Sequence, residues 1–485
     1  YVSNQIIMNM NKIKSIITEE HSSQLHVWHK LGLNHATLIY LDAHLDLQHI
    51  SESRIAKLKQ CKTTEEIANL EKPHHMVPDQ GYSYGIEDFL YGAYHLGMID
   101  HVIWVHPLPE DQKNNPMDSI RMLQNLEGFT LSDLTSFEII DNYVEANLLG
   151  LKVTICGYQE LSKLTLPENI FIDIDIDYFI ALPQDRPWID PKIVFETLKT
   201  LPLTYDTVTF TRSVSSGYMP LRYRFIADYM TALWQENQSE ADHFSRIYQL
   251  DKTAQDGQLK EAKEGCLQEL IKFPQCPVTY YLLSLCEDNP ELKREYREMA
   301  GKISPYYKPN VLRSTNAIMS RDLKFDKETL VALEKRLETE PLDAGENQLS
   351  HFSLGLLYST LADINGALKH YQACQTIKKG VYPQLSLSIG ALSLQKGQEA
   401  EAIPYLQNAL NDESTEPEAY TFLGHIYLKQ AKYNLALDNL LIAKKLLPGS
   451  KKPVKLLAQT YKEIGDENNY KIHLKKYHQM KFFFH

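Results

Sequence analysis

Two short stretches place acids where an ordinary strand would not. In TLIYLDAHLDLQ, residues 37 to 48, an apolar run ends in Asp42, His44 and Asp46 at alternate positions. Side chains two apart in an extended segment point the same way, so these three would converge on one small volume beyond the strand end. FIDIDIDYF, residues 171 to 179, places Asp173, Asp175 and Asp177 on one face of a strand and Ile172, Ile174 and Ile176 on the other. Like charges side by side on one face repel. One acidic face of this kind also arises as a solvated outer face, but two strands ending in the same chemistry point to something positive between the carboxylates. Five aspartates and one histidine are mostly hard oxygen donors with one imidazole. That set suits Mn²⁺ or a similar ion, singly or as a pair, better than a thiolate-rich zinc site. Two ions sharing carboxylates can hold a bridging water and lower its pKa toward about 7, making hydroxide available at neutral pH.

The elements that must position these residues follow from the hydrophobic pattern. Strand-like runs at 36–42, 101–106, 151–157, 169–177 and 207–213 alternate with amphipathic segments such as SRIAKLKQCKTTEEIANL and PKIVFETLKTL. This is the pattern of βα units around a mostly parallel sheet covered on both faces. Sites in such sheets lie beyond the carboxyl ends of the strands, where the first acidic motif falls.

The chain has 485 residues, too many for one ordinary core, which implies two or three domains. Hydrophobic residues at 43% and charged residues at 23% are the balance of a soluble globular protein. A formal charge of −12 argues against nucleic acid or anionic membrane as a partner and suits a cationic substrate. Six scattered cysteines with no CxxC pair fit reduced thiols in a cytosol. The sequence holds no signal-peptide core and no run of about 18 apolar residues, so a cytoplasmic protein is expected. The closing KKYHQMKFFFH, too short to span a bilayer, reads as a capping helix with a frayed end.

DAHLD followed far downstream by DIDID resembles the ureohydrolase superfamily, the arginase and deacetylase-like fold, whose members use a dinuclear manganese site. The histidine of EEHSSQLHVW, His21, matches a family histidine that enters a helix upstream of the DAHxD strand. More closely, EEHxxxLxxW, LDAHLDL, GIEDFLYGAYHLGMIDHVIWVHP, DIDIDYF and TRSVSSGYMP, in that order between residues 15 and 235, resemble the peptide arginases. These are bacterial enzymes that convert arginine side chains of ribosomally made peptides to ornithine.

The resemblance implies two Mn²⁺ ions, one held by His21, Asp42 and Asp46, the other held in part by Asp42 and His44. Two registers stay open downstream: Asp175 and Asp177 as ligands with Asp173 in the place of a family serine, which is preferred, or ligands beginning at Asp173. The family's acid/base histidine loop is not evident; His74 and His75 in EKPHHMVP are the nearest candidates, with ordinary loop histidines as the alternative. Where arginases carry a glutamate that pairs with the guanidinium, FTRSVSSGY offers Ser213. Glu87 or Asp88 could take that role, or serve only as acids favouring a helix N-terminus. The implied reaction is hydrolysis of peptidyl arginine to ornithine and urea. Its rivals are a metal-dependent deacylase or amidohydrolase on the same fold, and a non-catalytic repeat scaffold.

The last third repeats itself. Gly355, Gly390, Gly424 and Ala458 fall in register at spacings of 35, 34 and 34 residues, with Ala367, Ala402 and Ala436 in the same frame. A period near 34 with Leu423, Gly424 and Tyr427 spaced as Leu-Gly-x-x-Tyr resembles tetratricopeptide repeats. Such helix pairs stack into a curved solenoid whose concave face receives an extended peptide or partner, here the precursor peptide. The expected organisation is an arginase-like domain over 1–235, an irregular helical connector over 236–345 and the repeats over 346–485. A homo-oligomer is compatible with this reading.

Overall fold

The computed structural model describes residues 13–72, 82–107, 120, 123, 128–181, 186–201, 205–214, 219–319, 324–377 and 382–483. Eight strands form the main sheet: β1 (Lys14–Thr18), β2 (Ala36–Leu41), β3 (Ile99–Val105), β4 (Glu138–Ile140), β5 (Tyr143–Leu148), β6 (Leu151–Cys156), β7 (Ile170–Asp175) and β8 (Thr207–Thr211). Their spatial order is β1-β8-β7-β2-β3-β6-β5-β4. The pairings from β1 across to β6 are parallel. β5 and β4 are added antiparallel at one edge, so the sheet is mixed rather than uniformly parallel.

The near-continuous apolar run of β2 is the signature of a strand covered on both faces, and each of its residues is buried. Leu38 and Tyr40 face one layer with Trp28, Phe89 and Phe171. Ile39 and Leu41 face the other with Ile172, Ile174 and Phe210. This second cluster runs without a break through Ile247, Leu250, Cys266 and Leu283 to Tyr307, so the helices between residues 238 and 303 share the core of the sheet. A separate cluster starts at Val311.

β1 and the β4–β5 hairpin lie outside the strand runs expected from sequence. β1 is a half-exposed edge strand of only five residues, and β5 alternates buried Val144, Ala146 and Leu148 with Tyr143, Glu145 and Asn147 but has few β-branched residues to mark it as a strand. The turn into β6 uses Leu149 (φ 54°) and Gly150 (φ 87°), the left-handed pair of a tight hairpin, without the usual Asn-Gly signal.

From Ala344 the chain forms successive helix pairs: Ala344–Thr360 with Ile364–Ile377, Pro383–Gln395 with Glu399–Ala409, Glu416–Lys429 with Tyr433–Leu446, and Lys451–Glu463 with Glu467–Phe483. The repeating glycine has a steric cause. A Cβ on Gly355 would lie 2.6 Å from the Tyr371 ring, and one on Gly390 would lie 2.8 Å from Leu406 of the partner helix. The turns keep the same register, since Ala362, Gly397, Ala431 and Gly465 all adopt left-handed φ of 58, 75, 55 and 80°. These are tetratricopeptide-like repeats. Among the described residues no helix is long and apolar enough to cross a membrane.

Candidate metal centre

The strand order reverses between β2 and β7. The chain leaves β2 toward β3 on one side and leaves β7 toward β8 on the other, which opens a crevice at their carboxyl ends. Asp42 directly follows β2, Asp175 closes β7, Ser213 follows β8, and His21 opens a short 3-10 turn (His21–Ser23) after β1. Residues far apart in sequence therefore meet at one point of the sheet.

They meet through turns rather than through strand pleating, which corrects the simple alternation argument. β2 ends at Leu41, and the Asp42 Oδ1 accepts the His44 backbone N–H at 2.7 Å, bending the chain. β7 ends at Asp175, and Asp177 sits in the 3-10 turn Ile176–Phe179, its N–H bonded to Asp175 Oδ1 at 3.1 Å.

Two donor clusters result, His21 with Asp42 and Asp175, and Asp42 with His44 and Asp177; the donor atoms within each lie within 4.8 Å of one another, and Asp42 belongs to both. The His21 Nδ1 lies 3.0 Å from Asp42 Oδ2, 3.2 Å from Asp46 Oδ2 and 3.2 Å from Asp175 Oδ2. The His44 Nδ1 lies 3.0 Å from Asp177 Oδ2. Asp173 is elsewhere. It sits beside Tyr40 and Thr209 on neighbouring strands, fully buried, with Oδ2 2.8 Å from His21 Nε2 and Oδ1 accepting from the Thr209 hydroxyl. A carboxylate gripping the rear nitrogen of an imidazole fixes the ring so that its other nitrogen faces the cluster. The geometry thus groups Asp175 and Asp177 with the donors and sets Asp173 behind His21.

Further side chains hold the acids in place. The Tyr40 hydroxyl donates to Asp46 Oδ2 at 3.0 Å, the Ala43 N–H to Asp177 Oδ1 at 3.2 Å and the Trp104 indole N–H to the Asp42 carbonyl at 2.9 Å. The Ser213 hydroxyl donates to Asp175 Oδ2 from a buried residue whose φ of 47° is left-handed, a costly conformation outside glycine. Tyr40 was findable from sequence, two positions before Asp42 near the end of β2. Thr209 was not, because it arrives from another strand with no local mark.

Burial alone would strip both imidazoles of charge. The carboxylates of Asp175 and Asp173 overcome it and hold His21 well above the usual range, and Asp177 with Asp42 carries His44 up to about 12. Burial also raises Asp46, to about 6 with Asp42 adding to it, and raises Asp175 and Asp177. Burial acts upward on Asp42 too, but hydrogen bonds from His21 and His44 bring it below the carboxylate range. Protons on two histidines thus do what cations would do between the acids. The buried Asp42 Oδ2 faces the His21 Nδ1 at 3.0 Å, and its Oδ1 faces the His44 Nδ1 at 3.6 Å. The carboxylate shared between the clusters and the oxygen-and-imidazole donor set fit two hard divalent ions.

The clusters floor a cavity of about 90 Å³, enough for the head of a side chain and a little water, whose wall includes Gln48, Ile86, Glu87 and Ser213. Glu87 lines it. Asp88 turns away, accepting the Gly85 N–H at 2.7 Å and the Arg54 guanidinium at 3.0 Å, and burial lifts its carboxyl to about 7 despite that cation. His74 and His75 lie outside the described residues.

No family model and no curated protein matches the chain. Solved structures it is similar to include a MamA double mutant (19% identity over 36% of this chain and 96% of that chain, TM-score 0.31). PilF of Pseudomonas aeruginosa is similar at 16% identity over 45% of this chain and 97% of that one, TM-score 0.28. YrrB, described as a TPR protein with an unusual peptide-binding site, is similar at 14% identity over 45% and 93%, TM-score 0.26. Likeness at these values carries no functional inference.

Proposed function

We propose that this protein hydrolyses arginine side chains within a precursor peptide to ornithine and urea. Two Mn²⁺ ions would be held by His21, Asp42, Asp46 and Asp175 on one side and by Asp42, His44 and Asp177 on the other. The observation that carries the reading is the pair of donor clusters sharing Asp42 on the floor of an acid-walled cavity. When bound, the ions supply Lewis acidity and bring the pKa of water toward about 7.

The chain's own residues account for the rest. Asp173 and Thr209 fix the His21 ring, Tyr40 fixes Asp46, and Ser213 fixes Asp175. The small cavity admits the end of a cationic side chain and favours it by charge. Among the described residues Glu87 is the titratable group on the cavity wall outside the ligand set, so pairing with the guanidinium and managing the proton fall to it. Water adds its oxygen to the guanidino carbon, the bond from that carbon to Nε breaks, urea leaves, and Nε takes up a proton as the ornithine amine. The repeats and the net charge of −12 favour a cationic polypeptide over free arginine.

A blocked arginyl peptide and free arginine, supplied in turn to the Mn²⁺-loaded protein, test this. The peptide should release urea with arginine converted to ornithine, free arginine should react at least about tenfold more slowly, and Glu87→Gln should cost about 10²- to 10⁴-fold in kcat/KM. Turnover of acetyl-lysyl peptide without urea would select the deacylase reading instead.

A further inference from the structure

A turn of the repeats touches the α/β unit beside the cavity wall. It joins the helices Glu399–Ala409 and Glu416–Lys429. Asp412 is buried there, its Oδ1 held by the Ser414 N–H at 2.8 Å while its Oδ2 accepts from the Tyr82 hydroxyl at 2.6 Å. Next to it the Glu413 carboxylate lies 3.6 Å from Arg54 Nη1. Arg54 is the hub of the contact. Its Nη2 donates to Asp88 at 3.0 Å, its Nε donates to the Ser83 carbonyl at 3.1 Å, and its guanidinium carbon lies 4.3 Å from the centre of the Tyr82 ring.

One buried guanidinium therefore serves two carboxylates, Glu413 from the repeats and Asp88, the chain neighbour of the wall residue Glu87. Asp88 anchors what lies around it. Its side chain takes the Gly85 N–H, and its carbonyl takes the N–H groups of Tyr91 and Gly92, which starts the helix Phe89–His95. Phe89 packs on the His21 ring at 4.9 Å between centroids, and the Leu90 N–H reaches the Asp46 carbonyl at 3.4 Å. Glu87 is carried between these fixed points. The buried Asp412 seats Tyr82 against the Arg54 guanidinium and the exposed Glu413 adds a second carboxylate beside it, which couples the position of Glu87 to residues more than 300 positions away in the chain.

We propose that the Asp412–Glu413 turn is a positioning element of the reaction site: docked on Tyr82 and Arg54, it holds Asp88 and thereby the segment that presents Glu87 to the cavity. The effect on turnover rests on the arginine-hydrolase reading; the effect on the Gly85–Gly92 segment does not. Asp412, Glu413, Tyr82 and Arg54 are positioning residues, because they act through Asp88 rather than on a substrate.

Amide hydrogen exchange and turnover in the full chain test the proposal. Tyr82→Phe and Glu413→Gln remove one hydroxyl and one charge with little change in volume, and Asp412→Ala is the stronger variant. Each should speed exchange at the Gly85, Tyr91 and Gly92 amides about five- to tenfold while Mn²⁺ stoichiometry stays at the wild-type value. For a short arginyl peptide, kcat/KM should fall about tenfold in Asp412→Ala and recover in Asp412→Asn, which keeps an acceptor for Tyr82. Wild-type exchange at those amides in Tyr82→Phe and Glu413→Gln, with the repeats folded by circular dichroism, would overturn the proposal, and these two decide the matter if Asp412→Ala fails to fold. If wild-type protein released no urea from arginyl peptides, the reaction would be misassigned, while the exchange data would still judge the positioning role.

Discussion

Asp42 is the residue on which both donor clusters depend, and its sequence context made it legible: an apolar strand running into Asp-Ala-His-Leu-Asp, matched by a second acidic strand downstream, marks acids gathered at one point. The role of Asp173 was harder to see, because three aspartates at alternate positions look equivalent until the strand stops at Asp175 and sets Asp173 behind His21. Proton occupancy gives this scale its prediction. In the ion-free protein His44 keeps its proton up to about pH 12, so a cation must displace that proton throughout the neutral range. His21 is likewise held protonated, and Asp46 is protonated only below about pH 6, so at lower pH a further proton must leave besides those of the two histidines. Mn²⁺ affinity should therefore rise with pH everywhere and more steeply below about pH 6. Calorimetry in buffers of different ionisation enthalpy should count more released protons at about pH 5.5 than at about pH 7.5. An affinity that is flat or falls with rising pH would contradict the placement. Asp42→Asn should lose tight binding of both ions, because each cluster loses its shared oxygen.

At the scale of elements the repeats were the most legible part, since a glycine required by close helix approach recurs in three of the helix pairs and a small residue, Ala458, takes its place in the fourth. β1 was the least legible, a short edge strand whose partner lies nearly two hundred residues downstream. The repeat packing predicts its own failure. In Gly390→Ala the new methyl meets Leu406 and the neighbouring helix must give way, at a cost of about 1–3 kcal/mol. Thermal unfolding followed by helix ellipticity should shift down, with Mn²⁺ stoichiometry unchanged because the donor clusters stand on β2, β7 and the turn after β1. An unshifted melting curve would mean that the pair is looser than its geometry indicates.

For the whole molecule, the sheet's hydrophobic cluster continues to Tyr307 and the next begins at Val311. A chain ending near residue 235 would strip that cluster of Ile247, Leu250 and Leu283 and expose an apolar face, so it should be insoluble or non-cooperative in melting. A chain ending at residue 319 keeps the cluster and should bind as many Mn²⁺ ions as the full protein by elemental analysis. Equal behaviour of the two truncations would show that the helices after residue 238 are not part of the first core. The contact of Asp412 with Tyr82 had no sequence signal, since it joins single residues 330 positions apart without a motif at either end. The central claim is that water is added to the guanidino carbon of a peptidyl arginine, and the fate of solvent oxygen tests it most directly. In ¹⁸O-labelled water the Mn²⁺-loaded protein should convert a blocked arginyl peptide so that the label appears in urea and the ornithyl peptide stays unlabelled. Label recovered in acetate from an acetyl-lysyl peptide, or an arginyl peptide left unchanged by fully loaded protein, would contradict it.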